Sequence, residues 1–297
     1  MPLFLIGYYL LFFSGLLERK NKAVNIIFPR NSSWVILSPI EQRIKEKIEK
    51  VGVPLKDWDI QINYGIKTGC NEAFIIDKTK RDELIKQSPN SVDIIRPILR
   101  GRDIKRYSYD FADTYLLNVH NGIREKDIPP INIDDYPAVK AHLDHYWDKI
   151  SVRDDRGKTP YNLRNCAYMD DFSKQKIIYP CIMADEPKFC LDKAGEYFTV
   201  APGNIITGKN IEYLLNMLCS NLLYFALRKF YMGGGIEGEL KTNRLELLPI
   251  VLFDESNKIC KKLKDLFTNN NEIDNLVYQL YGLTKNEINY IRNNFNC

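Results

Sequence analysis

The sequence predicts an α+β fold, a mixed β-sheet with packed helices and a small C-terminal helical tail. Three observations predict it. Trp58, Ile60, Ile62 and Tyr64 alternate with polar neighbours, the period of a strand with one buried face. Short β-rich runs recur at 176–179, 189–191, 197–200 and 204–207, separated by Pro, Gly and Asp. Ile211, Leu214, Leu215, Leu218, Leu222 and Phe225 fall instead at helical spacing.

The totals bound the class. A chain of 297 residues, 45% hydrophobic and 27% charged, can bury a full core, and its length suits one large or two modest domains. The net charge of +4 is too mild by itself to demand a nucleic-acid partner, so the location of the charge must decide. Cys70, Cys166, Cys181, Cys190, Cys219, Cys260 and Cys297 are odd in number, scattered and without a C-x-x-C pair. They read as reduced thiols of a cytoplasmic protein and argue against zinc. His142 and His145 beside Asp144 read as an ordinary helix face, and no metal site is expected.

In chain order, residues 2–13 (P-L-F-L-I-G-Y-Y-L-L-F-F) are apolar throughout. The run is shorter than the ~20 residues of a bilayer span and lacks a basic region ahead of it. It is expected to be a buried lead, 1–32, whose packing partner is a missing upstream domain. Ser38-Pro39-Ile40-Glu41 is a capping box with proline at the first helical position, and Ile40, Ile44, Ile48 and Val51 form one stripe. Gly52 and Pro54 end that helix, which is expected to pack on the Trp58 strand. Gly65 and Gly69 then bracket a tight loop displaying Lys67, Thr68 and Asn71, after which 73–76 is expected to return as the second strand.

Arg96, Arg100, Arg102, Lys105 and Arg106 follow against one acid, Asp103, a local balance of five minus one, or +4. The rest of the chain therefore nets to zero, and the positive field is concentrated. A strand at 115–119 and a helix carrying Val139, Leu143, Tyr146, Trp147 and Ile150 lead to a loop, 151–164. There Arg153, Arg156, Lys158 and Arg164 ride among turn formers with Tyr161 exposed between them. A long helix is expected from an Asn210 cap to about Phe230, stopped by Gly233, Gly234 and Gly235. The tail from about Glu255 is helical, with a second capping box at Thr284 and Glu287.

Motifs for chemistry are weak. The G-x-G-x-x-G at 233–238 follows a helix, whereas a dinucleotide cradle must follow a strand, so it reads as a connector. Asp171 with Glu186-Pro187-Lys188 loosely resembles a nuclease acid pair, but the proline would remove a ladder donor and surface charge is the better reading. There is no N-P-P-Y, no G-x-S-x-G and no Walker lysine, so no catalytic residue is assigned. What remains is two basic segments mixed with tyrosine and glycine, suited to gripping phosphate and reading guanine edges.

The string G-I-K-T-G-C-N-E-A-F-I-I-D (65–77) followed by I-L-R-G-R-D-I-K-R-Y (98–107) resembles the TaqI-like C-terminal specificity domain of adenine-methylating type IIG restriction-modification enzymes. Y-P-A-V-K-A-H-L-D-H-Y (136–146), R-D-D-R-G-K-T-P-Y-N-L-R-N-C-A-Y (153–168), F-S-K-Q-K-I-I-Y (172–179), L-L-P-I (247–250) and I-D-N-L-V-Y-Q-L-Y-G-L-T-K-N-E-I (273–288) continue it in order, while Cys70 departs from the aromatic expected there. The resemblance implies a target-recognition domain, 33–253, with the tail at 254–297, reading a short asymmetric sequence in double-stranded DNA. It also implies a methyltransferase or endonuclease domain or subunit as partner. S-adenosylmethionine, and magnesium for cleavage, are expected on that partner and no cofactor on this chain. No membrane partner is expected. The residues expected to face DNA are Lys67, Thr68, Asn71, Arg100, Arg102, Lys105, Arg106, Arg153, Arg156, Lys158, Tyr161 and Arg164. Two alternatives are a chain that is itself an adenine methyltransferase or restriction endonuclease, and a truncated relic that meets no partner.

Overall fold

The computed structural model describes residues 37–183, 186–232, 239–266 and 270–294. The apolar lead and the G-x-G-x-x-G string lie outside these residues. Helix α1 (Pro39–Val51) opens on the expected box: Ser38 accepts from the Glu41 amide, and the Glu41 carboxylate accepts from the Ser38 amide at 2.7 Å. The chain continues through β1 (Val53–Pro54), β2 (Ile60–Tyr64), α2 (Asn71–Phe74), β3 (Ile75–Asp77) and α3 (Lys78–Gln87), then β4 (Ile95–Pro97) and β5 (Thr114–Leu117). Helices α4 (Pro137–Asp144) and α5 (Trp147–Ile150) precede β6 (Lys176–Pro180), β7 (Cys190–Asp192) and β8 (Gly203–Gly208). Next come α6 (Ile211–Leu218), α7 (Asn221–Ala226), α8 (Thr242–Leu245) and β9 (Pro249–Ile250), and the tail is α9 (Lys258–Asp265), α10 (Asn270–Leu280) and α11 (Lys285–Asn293).

Two larger sheets have the orders β2-β8-β6-β7 and β3-β5-β4, and β1 pairs with β9. All these ladders are antiparallel. Parallel pairing enters where 198–200 bridges Ile66 on one side and Ile98 on the other, joining the two sheets. The expected strand at 197–200 is thus present only as bridges. Its role is to join.

Sheet β2-β8-β6 is covered on both faces, because strand neighbours point to opposite sides. Ile177 and Ile206 enter one core with Ile44 and Ile48 of α1, Trp58, Leu214 and Phe225, and tail residues Leu263, Val277 and Ile291. Ile178 and Ile205 enter the other with Phe74, Leu117, Val139, Leu143, Phe172 and Phe198. The expected packing of α1 on the Trp58 strand is therefore observed. No helix among the described residues is long and apolar enough to cross a membrane.

Two local expectations fail for physical reasons. Residues 73–76 do not return as the partner of β2. Asn71–Phe74 is a helical turn, with the Ala73 and Phe74 amides bonded to the Cys70 carbonyl, and β3 beyond it pairs with β5 in the other sheet. A short apolar run buried all round carries no period that separates helix from strand. The long helix from Asn210 is likewise broken. Asn210 adopts a left-handed conformation without a side-chain cap, and Ser220 starts a second helix by accepting from the Leu223 amide, ahead of a π-turn at Leu227–Tyr231.

Candidate nucleic-acid interface

Thr199 holds two of the cationic segments together. Its carbonyl accepts from the Ile66 amide at 2.9 Å, and its hydroxyl donates to the Leu99 carbonyl at 2.7 Å. Both bridges to 198–200 are parallel, so the chain leaves Ile66 and Ile98 in one direction. Lys67 and Arg100 therefore emerge at the same end of the joined sheets, separated by one strand, a spacing of roughly 10 Å. Gly65 permits this approach: a Cβ there would lie 2.7 Å from the Val200 carbonyl carbon.

The third segment is attached through Arg153. This side chain is buried, and its Nη1 donates to the carbonyls of Thr68 and Asp155. Nη2 donates to Pro160 at 3.1 Å and Asn162 at 2.6 Å, and the guanidinium lies over the Phe74 ring. Burial pulls its pKa down to about 10, which leaves it charged at neutral pH. Arg153 is thus an internal clamp between loops 66–71 and 153–163, with no guanidinium surface free for a ligand. Thr68 is buried too, its hydroxyl donating to Asn71 Oδ1 at 2.6 Å, so the first loop displays Lys67 and Asn71 but not Thr68.

The remaining expected residues divide by their partners. Arg100 forms a two-pronged pair with Asp103, at 3.0 and 3.1 Å, and Asp103 also accepts from the Arg100 amide. Arg102 beside it is 74% exposed, and Lys105 pairs with Asp110. Arg106 turns inward: among the described residues its buried Nε and Nη2 have no hydrogen-bond partner, and its guanidinium stands 5.6 Å from the Tyr107 ring centroid. Exposed Arg156 donates to the Ser151 carbonyl, Arg164 pairs with Asp155 at 2.9 Å, and Lys158 is exposed. Tyr161 is half-buried rather than exposed. It packs against Trp147 and donates to Asp144 at 2.6 Å, and burial with that carboxylate pushes its pKa up to about 12.

Sequence reading missed a fourth segment on this rim. The Leu240 amide donates to the Cys181 carbonyl at 2.6 Å, and the Tyr64 hydroxyl shares a 2.8 Å hydrogen bond with Thr242. This brings exposed Lys241 to the end of β6, where Pro180 packs against Gly101. Nothing local in the sequence links 239–244 to 100–102, because the contact is made by sheet topology. No group of His, Cys, Asp and Glu among the described residues could hold a metal ion. Asp171, the acid of the nuclease-like string, is committed to Asn63 at 3.0 Å and Lys174 at 2.7 Å.

The family model described as the TaqI-like C-terminal specificity domain matches residues 96–250. Type II methyltransferase M.BstVI of Geobacillus stearothermophilus is 21% identical over 296 residues, covering 93% of this chain and 49% of that protein. The chain thus spans about half the length of that relative. Among solved structures, the type IIL restriction-modification enzyme MmeI, determined in complex with DNA, superposes with a TM-score of 0.57 at 13% identity, over 92% of this chain and 37% of that one. The type IIG restriction endonuclease BpuSI gives 0.54 at 15% identity, over 87% and 32%. These likenesses show a shared fold. The family match takes in both Arg100–Arg106 and the loop clamped by Arg153, and on that match the chain belongs to the TaqI-like C-terminal specificity domains of restriction-modification enzymes.

Proposed function

We propose that this chain recognises a specific sequence in double-stranded DNA as the specificity module of a type IIG-like restriction-modification system. It directs an adenine methyltransferase or endonuclease carried by another domain or subunit, which supplies the S-adenosylmethionine and magnesium chemistry. Residues 33–253 form the reading unit and the helices from 254 brace it. The observation that carries this reading is the convergence of cationic loops at the Thr199 end of the joined sheets. Lys67, Asn71, Arg100, Arg102, Lys105, Arg156, Lys158 and Arg164 supply phosphate and base contacts, while Thr68, Arg106, Arg153 and Tyr161 shape the loops. MmeI, a structural neighbour determined with DNA, supports the same partner class.

Selecting duplexes from a random pool with the purified chain tests the proposal. Enrichment of one asymmetric sequence is expected, with affinity falling linearly in log salt. Replacing Arg100 and Arg102 together by alanine is expected to weaken binding and to lower the salt slope by about two. Unchanged affinity with unchanged slope removes them from the interface. Labelled S-adenosylmethionine with mixed-sequence DNA separates the enzymatic alternative, since transfer of label by the chain alone places the chemistry within it.

A further inference from the structure

Tyr179, Asn204 and Tyr64 form one cross-strand row, in register through β6, β8 and β2 and on one face of the sheet. Tyr179 is fully buried and Asn204 is 1% exposed, yet among the described residues the Tyr179 hydroxyl and the Asn204 Oδ1 have no hydrogen-bond partner. The Asn204 amide nitrogen makes only a long bond, 3.4 Å, to the Pro202 carbonyl. Two adjacent buried polar groups left unpaired are costly and call for a reason beyond packing. The next pair inward on this face, Ile177 and Ile206, is apolar.

The outer end of the row lies at the rim. Tyr64 is half exposed and tied to Thr242, the first residue of α8, by the 2.8 Å bond between their hydroxyls. Cys181, two residues beyond Tyr179, accepts from the Leu240 amide, so this end of the row meets the segment that carries Lys241 and Thr242. Lys67 follows Tyr64 by three residues, and Lys241 stands beside Thr242 with Glu239 as its nearest acid at 3.9 Å.

We propose that this row is a base-reading site, in which Tyr64 swings off Thr242 and Asn204 Oδ1 accepts from the exocyclic amino group of an adenine or cytosine, with the Tyr179 hydroxyl completing the contact. The inference rests on the DNA-binding reading above and names the residues that discriminate within it. An acceptor at Oδ1 takes the N6 amine of adenine or the N4 amine of cytosine, both presented in the major groove, and rejects thymine and guanine, which offer oxygen there.

The test uses the duplex selected by the wild-type chain, with Tyr179→Phe, Asn204→Ala and Tyr64→Phe. Tyr179→Phe removes only an unpartnered hydroxyl and leaves the melting temperature unchanged or raised, while Asn204→Ala also gives up the long bond to the Pro202 carbonyl and is read by binding rather than by melting. Both are expected to bind the selected duplex roughly tenfold more weakly and to lose discrimination at one base pair with the salt slope unchanged. Replacing that base by purine or pyrimidin-2-one, which lack the amine, costs the wild type the same factor and costs Asn204→Ala nothing more. Tyr64→Phe, freed from Thr242, binds at least as tightly as wild type. A lowered melting temperature of Tyr179→Phe with discrimination intact overturns the inference, because the two groups then serve the fold through a buried water. A wild-type chain that selects no duplex removes the DNA reading itself, a failure seen before any variant is made.

Discussion

The guanidinium of Arg153 lies 4.4 Å from the ring centroid of Phe74 while its nitrogens serve the carbonyls of Thr68, Asp155, Pro160 and Asn162. One buried cation thereby sets the position of two loops proposed to face DNA. Arg153→Ala leaves buried carbonyls unpaired and is expected to lower the unfolding free energy by about 3 kcal/mol. Arg153→Lys recovers only part, since an ammonium cannot span acceptors that a planar fork reaches. Denaturant titration checks this. A loss under about 1 kcal/mol in the alanine variant shows that the loops hold without the clamp.

Gly69 sits where the same two loops touch. Its φ is +65°, and a Cβ there would lie 3.1 Å from the Cβ of Asp155. Gly69→Ala is expected to cost about 1–2 kcal/mol from the left-handed backbone alone. The contact with Asp155 adds a shift of the loop that carries Lys67 and Asn71. Thermal melting reads the first effect, and weaker duplex binding at constant salt reads the second. Wild-type behaviour in both assays removes the loop contact from the recognition surface.

Much of the fold is legible where one residue decides one structure. Ser38 with Glu41, and Thr284 with Glu287, form their capping boxes as the sequence states. The alternation at Ile60, Ile62 and Tyr64 gives β2. What stays hidden depends on which strand lies beside which. That 73–76 leaves β2 for another sheet, or that Ser220 restarts a helix, follows from burial on all sides, which erases periodicity. The site behaves alike. Charge density marks Arg100–Arg106 and 153–164, but not that Arg153 and Arg106 point inward, because an arginine's direction is set by carbonyls and rings brought from elsewhere in the chain.

The pair Lys176–Asp192 shows the asymmetry of buried charge. Lys176 Nζ is 2.6 Å from Asp192 Oδ2, and both side chains are buried. Asp192 also accepts from the amides of Gly195, Glu196 and Tyr197, so it fixes the turn that leads into 197–200. Asp192→Ala strands a buried ammonium and frees three amides, with an expected loss of about 3–5 kcal/mol. Lys176→Met leaves the carboxylate with its three amide donors and is expected to cost clearly less. Equal losses in urea titration contradict this ordering.

The two half-buried histidines give stability a pH dependence with a definite sign. His142 Nε2 donates to the Ala73 carbonyl at 3.0 Å, and His120 Nδ1 accepts from the Gly122 amide at 3.0 Å. Burial lowers both pKa values below 6.5; at His120 the charge of Arg96 adds to it, and at His142 the Ala73 carbonyl opposes it while Lys80 and His145 add. Below 6.5 the unfolded chain binds protons that the folded chain resists. Stability therefore declines as pH falls from 6.5 and levels off under the folded pKa values. Burial raises the Asp274 carboxyl above its ordinary value, so the histidine contribution is read as the difference between wild type and a double variant over the interval from about pH 6.5 to 5. His120→Gln with His142→Gln is expected to flatten the slope of unfolding free energy against pH in that interval, whatever the absolute stability of the variant. A slope equal to wild type assigns the decline to other groups, because in the double variant neither buried imidazole remains to resist protonation.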